Sequence, residues 1–302
     1  MRTAPQLCLS VIILLGARTL PGQQLEPQAY SVSPVGVNAA VFAFSTMDGD
    51  LSFAPTVPLE NVTTKLNLFN FGYFRSINFF GRSGSITAIL PYTEGTTEGL
   101  VSGEFQRVRR SGLRDPAVRL AVNLHGAPAM ALKDFASFQQ KWIVGASLVV
   151  AAPLGQYDPA RLINTGTNRW SFKPEIGVSR TIKRWTLEFA GGAWLFTPNN
   201  NFMGRKRTQK PIGAGQIHVI YTFKPRLWLS FDTNFYTGGR TSVDGVPGQD
   251  LQRNSRLGVT GSIPLAKRHS IKAAFSDGAR TTIGADFHSI SLAYQFIWGG
   301  GL

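Results

Sequence analysis

Hydrophobic and polar residues alternate along most of this chain. From residue 169, Trp170, Phe172, Pro174, Ile176 and Val178 interleave with Arg169, Ser171, Lys173, Glu175, Gly177 and Ser179. After a basic turn at 180 to 183, Trp185, Leu187, Phe189, Gly191, Ala193 and Leu195 interleave with Thr186, Glu188, Ala190, Gly192, Trp194 and Phe196. A period of two is the mark of a β-strand, whose successive side chains point to opposite faces. The pattern predicts about twelve strands, at 35 to 46, 64 to 74, 82 to 91, 116 to 125, 140 to 151, 168 to 179, 184 to 196, 213 to 223, 226 to 237, 252 to 263, 268 to 276 and 287 to 298. Most are close to the roughly 9 to 11 residues with which a tilted strand crosses a bilayer.

The links between these strands sharpen the picture. From residue 152 on they alternate between long (152 to 167, 197 to 212, 238 to 251, 277 to 286) and short (180 to 183, 224 to 225, 264 to 267). Short turns at one end and long loops at the other are characteristic of outer-membrane barrels, and a soluble sandwich has no reason for them. Two further links, 75 to 81 and 126 to 139, fall on the short-turn side; the second is longer than such turns, which predicts either a helical turn there or a strand boundary drawn in the wrong place. Pro174 lies mid-strand and cannot donate to a ladder, so a bulge or local break is expected there.

Bulk properties agree. The chain opens MRTAPQLCLSVIILLGARTLPGQQ, an apolar run too short to span a bilayer and suited to a secretory signal peptide, assigned to residues 1 to 22, with the barrel over 23 to 302. Its one cysteine, Cys8, lies in that leader, as expected of a chain built for an oxidising compartment without disulfides. No later apolar run is long enough for a membrane helix. Charged residues make up 16% of the chain, below the roughly 25% of soluble domains. The fold class expected is therefore all-β, a closed antiparallel transmembrane β-barrel of about twelve strands, apolar face to lipid and polar face inward. Trp142, Trp170, Trp185, Tyr236 and Trp298 sit near strand ends, where aromatic girdles form.

Several phrases then carry a family resemblance. APLGQYDP (152 to 159), NTGTNRWSFKPEIGVS (164 to 179), WTLEFAGGAWLFTPNNNF (185 to 202), QIHVIYTF (216 to 223), WLSFDTNFYTGGRT (228 to 241), RLGVTGSIPL (256 to 265) and the terminal YQFIWGGGL together resemble the bacterial family labelled putative meta-pathway of phenol degradation. The resemblance spans roughly residues 35 to 302. It implies an outer-membrane, transporter-like barrel connected with uptake of aromatic or other hydrophobic compounds, and brings no established functional residues. The chain ends in Leu302, whereas many outer-membrane barrels end in an aromatic residue; its recognition by the barrel-assembly machinery is implied by the resemblance alone.

An inward polar face would line the lumen with Arg119, Asn123, His125, Arg169, Lys173, Glu175, Glu188, His218, Asp232, Asn234, Arg256 and Lys272. Both signs occur, so these groups can pair as a structural filling or line a solute path. The segment 23 to 34 is a second candidate for plugging the lumen. The formal charge of +14 includes clusters at Arg107, Arg109, Arg110 and Arg114 and at Arg205, Lys206, Arg207 and Lys210. Forked guanidinium donors suit lipopolysaccharide phosphates, and incidental loop charge is the alternative. Nucleic acid is a poor fit, since the chain is exported and has no binding module. Asp244, Asp250, Asp277 and Asp286 match no calcium loop, so no metal is expected, and no cofactor. His218 and Asp232 form a conceivable pair on adjacent strands, but neither G-x-S-x-G nor H-E-x-x-H is present, and no catalytic residue is assigned. The expected function is a channel for small solutes, hydrophobic or aromatic ones among them. A non-transporting structural or adhesion barrel is the alternative, and a hydrolase the third.

Overall fold

A computed structural model describes residues 25 to 52 and 59 to 302. The expected signal peptide lies outside them. In chain order the elements are β1 (Val37–Ser52), β2 (Leu59–Phe79), β3 (Arg82–Val101), β4 (Glu104–Leu113), β5 (Ala117–His125), the helical turn α1 (Leu132–Phe135), β6 (Trp142–Ala151), β7 (Ser171–Ile182) and β8 (Trp185–Phe196). There follow β9 (Asn199–Phe202), β10 (Arg205–Gln209), β11 (Ile212–Lys224), β12 (Leu227–Gly238), β13 (Thr241–Val243), β14 (Val246–Pro247), β15 (Gln252–Ala266), β16 (His269–Arg280) and β17 (Gly284–Gly299).

The main sheet runs β2-β1-β17-β16-β15-β12-β11-β8-β7-β6-β5-β3-β4, every pair antiparallel, and it closes because β2 also pairs with β3. The outer half of β3 pairs with β4 and its inner half with β5, so β4 and β5 share one position in a wall of 12 strands. Closure leaves the wall no free edge, which is what hydrocarbon requires of a sheet. Tight turns help set the register. In the β2–β3 hairpin, Phe80 and Gly81 both have positive φ (50° and 81°), the geometry whose twist matches that of the flanking strands.

Side chains alternate as the sequence pattern requires. Ile176 is 61% exposed and Phe231 52%, while their neighbours Glu175 and Asp232 are 5% and 0% exposed. The outward set, which includes Phe42, Phe71, Leu148, Phe189, Val259 and Leu292, makes an apolar belt. Trp142, Trp185 and Trp298 face outward at the short-turn end, where Arg180 lies over the Trp142 ring at 4.6 Å and Trp185 packs on Tyr221 at 4.8 Å. Trp170, stacked with Phe172, faces outward at the long-loop end. Tyr236 departs from the expected girdle: it is 3% exposed and points inward, because it shares the parity of Asp232 and Asn234. His125 departs too. Register slips between Asn123 and His125, and the imidazole ends up exposed at the rim, outside the lumen.

Three other local expectations are resolved. The link 126 to 141 holds the helical turn α1, and Phe135 there is buried. Pro174 interrupts the β7–β8 ladder, which skips from Phe172↔Leu195 to Glu175↔Gly192, yet no residue is inserted and the β6 side pairs without a gap. The link expected at 277 to 286 is mostly strand, since β16 and β17 extend to Arg280 and from Gly284. At the long-loop end, β9, β10, β13 and β14 form a separate small sheet across two loops.

Placing a charge on the belt should be costly. We expect Ile176→Arg to lower the refolding stability of the barrel in lipid vesicles by about 2–4 kcal/mol, with Ile176→Val nearly neutral, as measured by urea titration of folded and unfolded gel bands.

Candidate functional site

The lumen is occupied by the chain's own amino-terminal segment. Residues 25 to 36 run irregularly within the barrel, with Glu26, Pro27, Gln28, Tyr30, Val32, Ser33 and Pro34 buried. A turn closes on Ser31 N–H donating to Gln28 O at 3.1 Å. An irregular segment exposes its backbone donors and acceptors, and inward side chains of the wall meet them. Gln28 N–H donates to the Glu188 carboxylate at 2.6 Å, and Glu26 N–H to Gln216 Oε1 at 3.1 Å. Arg119 Nη1 donates to Ala29 O at 3.2 Å, and Asn123 Nδ2 to Tyr30 O at 3.1 Å. Nearer the mouth, Val35 N–H donates to Met130 O and Gly36 N–H to Ser76 O, while Ser76 Oγ donates to Pro34 O.

Tyr30 sits in a socket built into the wall. A Cβ added at Gly145 would lie 2.2 Å from its ring, and one at Gly177 2.1 Å, so two paired inward glycines make its space. The hydroxyl donates to Glu175 Oε1 at 3.1 Å and sits 3.3 Å from Ser147 Oγ, and the Arg119 guanidinium lies 5.2 Å from the ring centroid. Glu175 is the hub of this cluster. Lys173 Nζ is 2.6 Å from its Oε2, Arg119 Nη2 3.7 Å from its Oε1, and Gln216 Nε2 donates to it at 3.2 Å. A buried carboxylate so surrounded has its charge compensated by cations from two strands and further hydrogen-bonded from a third.

A second cluster lies on β11, β12 and β15. His218 Nδ1 is 2.8 Å from Asp232 Oδ1, and the other Asp232 oxygen accepts from Ser230 Oγ at 3.1 Å and Thr260 Oγ1 at 2.6 Å. His218 Nε2 is buried with no hydrogen-bond partner among the described residues. A nucleophilic triad places its hydroxyl on that nitrogen; here both hydroxyls serve the carboxylate. Asn234 is buried beside this pair on β12. Lys272 faces inward, its ammonium 5.8 Å from the Trp228 ring, and Arg256 donates to Phe287 O and to Ser276 Oγ.

Toward the long loops the lumen turns apolar. Trp194, Ile212 and Tyr236 pack with Ala117, Val149 and Ala151 into one buried layer, with Phe196 against it. Arg169, expected in the lumen, belongs to the cap above: it lies over Phe196 at 4.2 Å and donates to Gln209 Oε1. Burial, and then the neighbouring Arg207, hold its guanidinium below its ordinary value, down to about 10, so it stays charged at neutral pH. Of the basic loop residues, Arg107 and Arg109 are exposed on the outward face of β4, Arg107 paired with Glu98 at 2.7 Å. Arg110 turns to the carbonyl of Ile163. Arg205 pairs with Asp244, Lys206 is exposed, and Arg207 lies over Phe202.

Residues 48–292 match the family described as "Putative MetA-pathway of phenol degradation". The chain belongs to that family. Among solved structures it is similar to the COG4313 outer membrane channel from Pseudomonas putida F1, with TM-score 0.76 and 18% identity over 91% of this chain and 100% of that one. A likeness at this identity establishes the shared barrel fold. The KdgM porin (TM-score 0.46, 7% identity, 85% of this chain and 98% of that one) and the transport unit of the autotransporter AIDA-I from Escherichia coli (0.48, 11%, 97% and 95%) are more distant. No curated protein sequence matches.

For this family member, the sequence offered Glu175, Arg119 and Lys173 but not their partners Tyr30, Ser147 and Gln216. Gly145 and Gly177, at paired inward positions, are the one sequence signal that a ring needs room there. We expect Gly177→Val to expel Tyr30, and hydrogen exchange of the backbone amides in residues 28 to 33 to rise by at least roughly tenfold in the intact barrel.

Proposed function

We propose that this protein is an outer-membrane channel for small solutes whose axial path is closed by its own amino-terminal segment. The observation that carries this reading is how that segment is held. Its grip on the wall combines hydrogen bonds between its backbone and inward side chains with apolar packing: Tyr30 sits in a glycine socket, and Val32 shares a buried cluster with Met130 and Ile143. Each such bond contributes about 0.5–1.5 kcal/mol net, or about 1.5–3 where a charged group such as Arg119 makes it, and water or a polar solute can replace it. The segment is thus a removable occupant of a polar conduit.

The layer of Trp194, Tyr236, Ile212 and Phe196 above the charged clusters supports a preference for small hydrophobic or aromatic solutes, as does the family's description. The arrangement of Ser230 and Thr260 on Asp232 supports a non-enzymatic role. The outward, exposed position of Arg107 and Arg109 on β4 supports a contact with lipopolysaccharide phosphates. Export through the leader at 1 to 22 completes the assignment.

Deleting residues 25 to 34 while keeping the leader tests this. In planar bilayers with potassium chloride the full chain should show rare, small openings, and the deletion variant should stay open at several-fold higher conductance. If the deletion variant, shown to be folded by heat-modifiable migration, is electrically silent, the channel reading is wrong.

A further inference from the structure

The short-turn end of the wall carries a repeated motif. The turns joining β7 to β8, β11 to β12 and β15 to β16 read IKRW (182 to 185), FKPRL (223 to 227) and LAKRH (265 to 269), each with a lysine and an arginine at the tip. Because β8 pairs with β11 and β12 with β15, the three turns stand side by side on the rim.

Local backbone preference does not explain these residues. Two-residue hairpin turns favour Asn and Gly because they need positive φ, yet Lys183 and Arg226 hold φ of 55° and 65°. Cations thus occupy positions that glycine would fit with less strain. They are not consumed by ion pairs either. Lys183, Arg184, Lys224 and Lys267 are exposed, and none of the four makes an ion pair or a side-chain hydrogen bond among the described residues. Of the 17 acidic residues, only Asp134, beside α1, falls in a link at this end, so the rim is strongly positive.

The turns are stitched into one arc. Thr222 N–H donates to Arg184 O at 2.8 Å, joining the first turn to the second. Arg226 Nη1 donates to Ala266 O at 3.0 Å and to Lys267 O at 2.6 Å, and its Nη2 to His269 O at 2.8 Å, joining the second to the third. A fixed spacing leaves less freedom to lose when an anion binds. Directly beneath the arc, on the lipid side, Trp185 packs on Tyr221 and Tyr221 on Phe223, both at 4.8 Å, with Ile263 and Leu265 exposed on β15. Such rings mark the depth of lipid headgroups. The cations lie one step beyond them.

We propose that the three turns form a docking site for an anionic phospholipid of the periplasmic leaflet. Its headgroup phosphodiester is held by Lys183, Arg184, Lys224 and Lys267, and its acyl chains lie against Trp185, Phe223 and Leu265. Outer-membrane barrels turn their short connections to the periplasm, where the leaflet is phospholipid. A free anion would meet only the cations, whereas a lipid meets the cations and the aromatic row beneath them at once. The site does not depend on whether the lumen conducts.

Native mass spectrometry of the intact barrel, released from vesicles of equal phosphatidylglycerol and phosphatidylcholine, counts the lipids that stay bound. Phosphatidylglycerol should exceed phosphatidylcholine roughly tenfold. Lys183→Gln, Arg184→Gln, Lys224→Gln and Lys267→Gln together should bring the ratio to within about twofold of unity. Lys210→Gln, Arg240→Gln, Arg253→Gln and Arg280→Gln, an equal change of charge at the long-loop end, should leave it as in the wild type. Heat-modifiable migration shows that each variant folds; should the fourfold arc variant not fold, Lys183→Gln and Lys267→Gln singly should each lower the ratio by about two- to fivefold. Equal binding of the two lipids by the wild type overturns the site. An equal loss of preference in both fourfold variants also overturns it, because net charge would then be the cause. Displacement of phosphatidylglycerol by inorganic phosphate at constant ionic strength, or by soluble polyglutamate, assigns the arc to a free anion or an acidic polypeptide and overturns the lipid as its occupant.

Discussion

In hydrocarbon a peptide N–H or C=O without a partner costs several kcal/mol, and this cost shapes the whole molecule. A sheet can meet it only by closing, and this one closes through the β2–β3 pair. Closure creates an interior, and the outward belt of phenylalanines and leucines leaves that interior the alternate, polar side chains of the wall. Such a cylinder cannot collapse to hide its charges. It must pair them, wet them or fill the space between them.

This barrel pairs and fills. Glu175 takes cationic partners from its own strand and from β5, and Asp232 binds an imidazole and two hydroxyls from three strands. The space that remains is taken by residues 25 to 36, whose backbone satisfies inward groups that would otherwise face one another across a void. A helix would have used up its own hydrogen bonds, so an irregular segment suits a polar lumen better. The same irregularity leaves it little cooperative structure of its own, which makes it the least costly part of the barrel to displace.

The wall obeys its constraint less well where proline breaks the ladder, at Pro174 between β7 and β8 and at Arg114–Pro116 beside β3. At Arg114–Pro116 an added residue and two prolines break the ladder, and the loop 152 to 167 supplies donors that the strands lack. Across the break itself, Arg114 N–H donates to Pro91 O, and the loop holds the opposite edge of the same stretch.

The alternation of residues over 169 to 196, repeated along the chain, was enough to determine strand, face and number, because a period of two needs only local geometry. The same parity determined that Glu175, Glu188, His218 and Asp232 point inward. It also placed Tyr236 inward, although its nearness to a strand end suggested a girdle; parity outranks position because a side chain cannot change face without a register slip. Such a slip is what moved His125 to the rim. Only the closed structure decided which inward charge meets which, that Tyr30 fills the space over Gly145 and Gly177, that Arg169 serves the cap, and that β3 is shared by two strands. These contacts join residues as far apart as Glu26 and Gln216. Their pairing follows from the register and curvature of the whole wall, which no local pattern encodes.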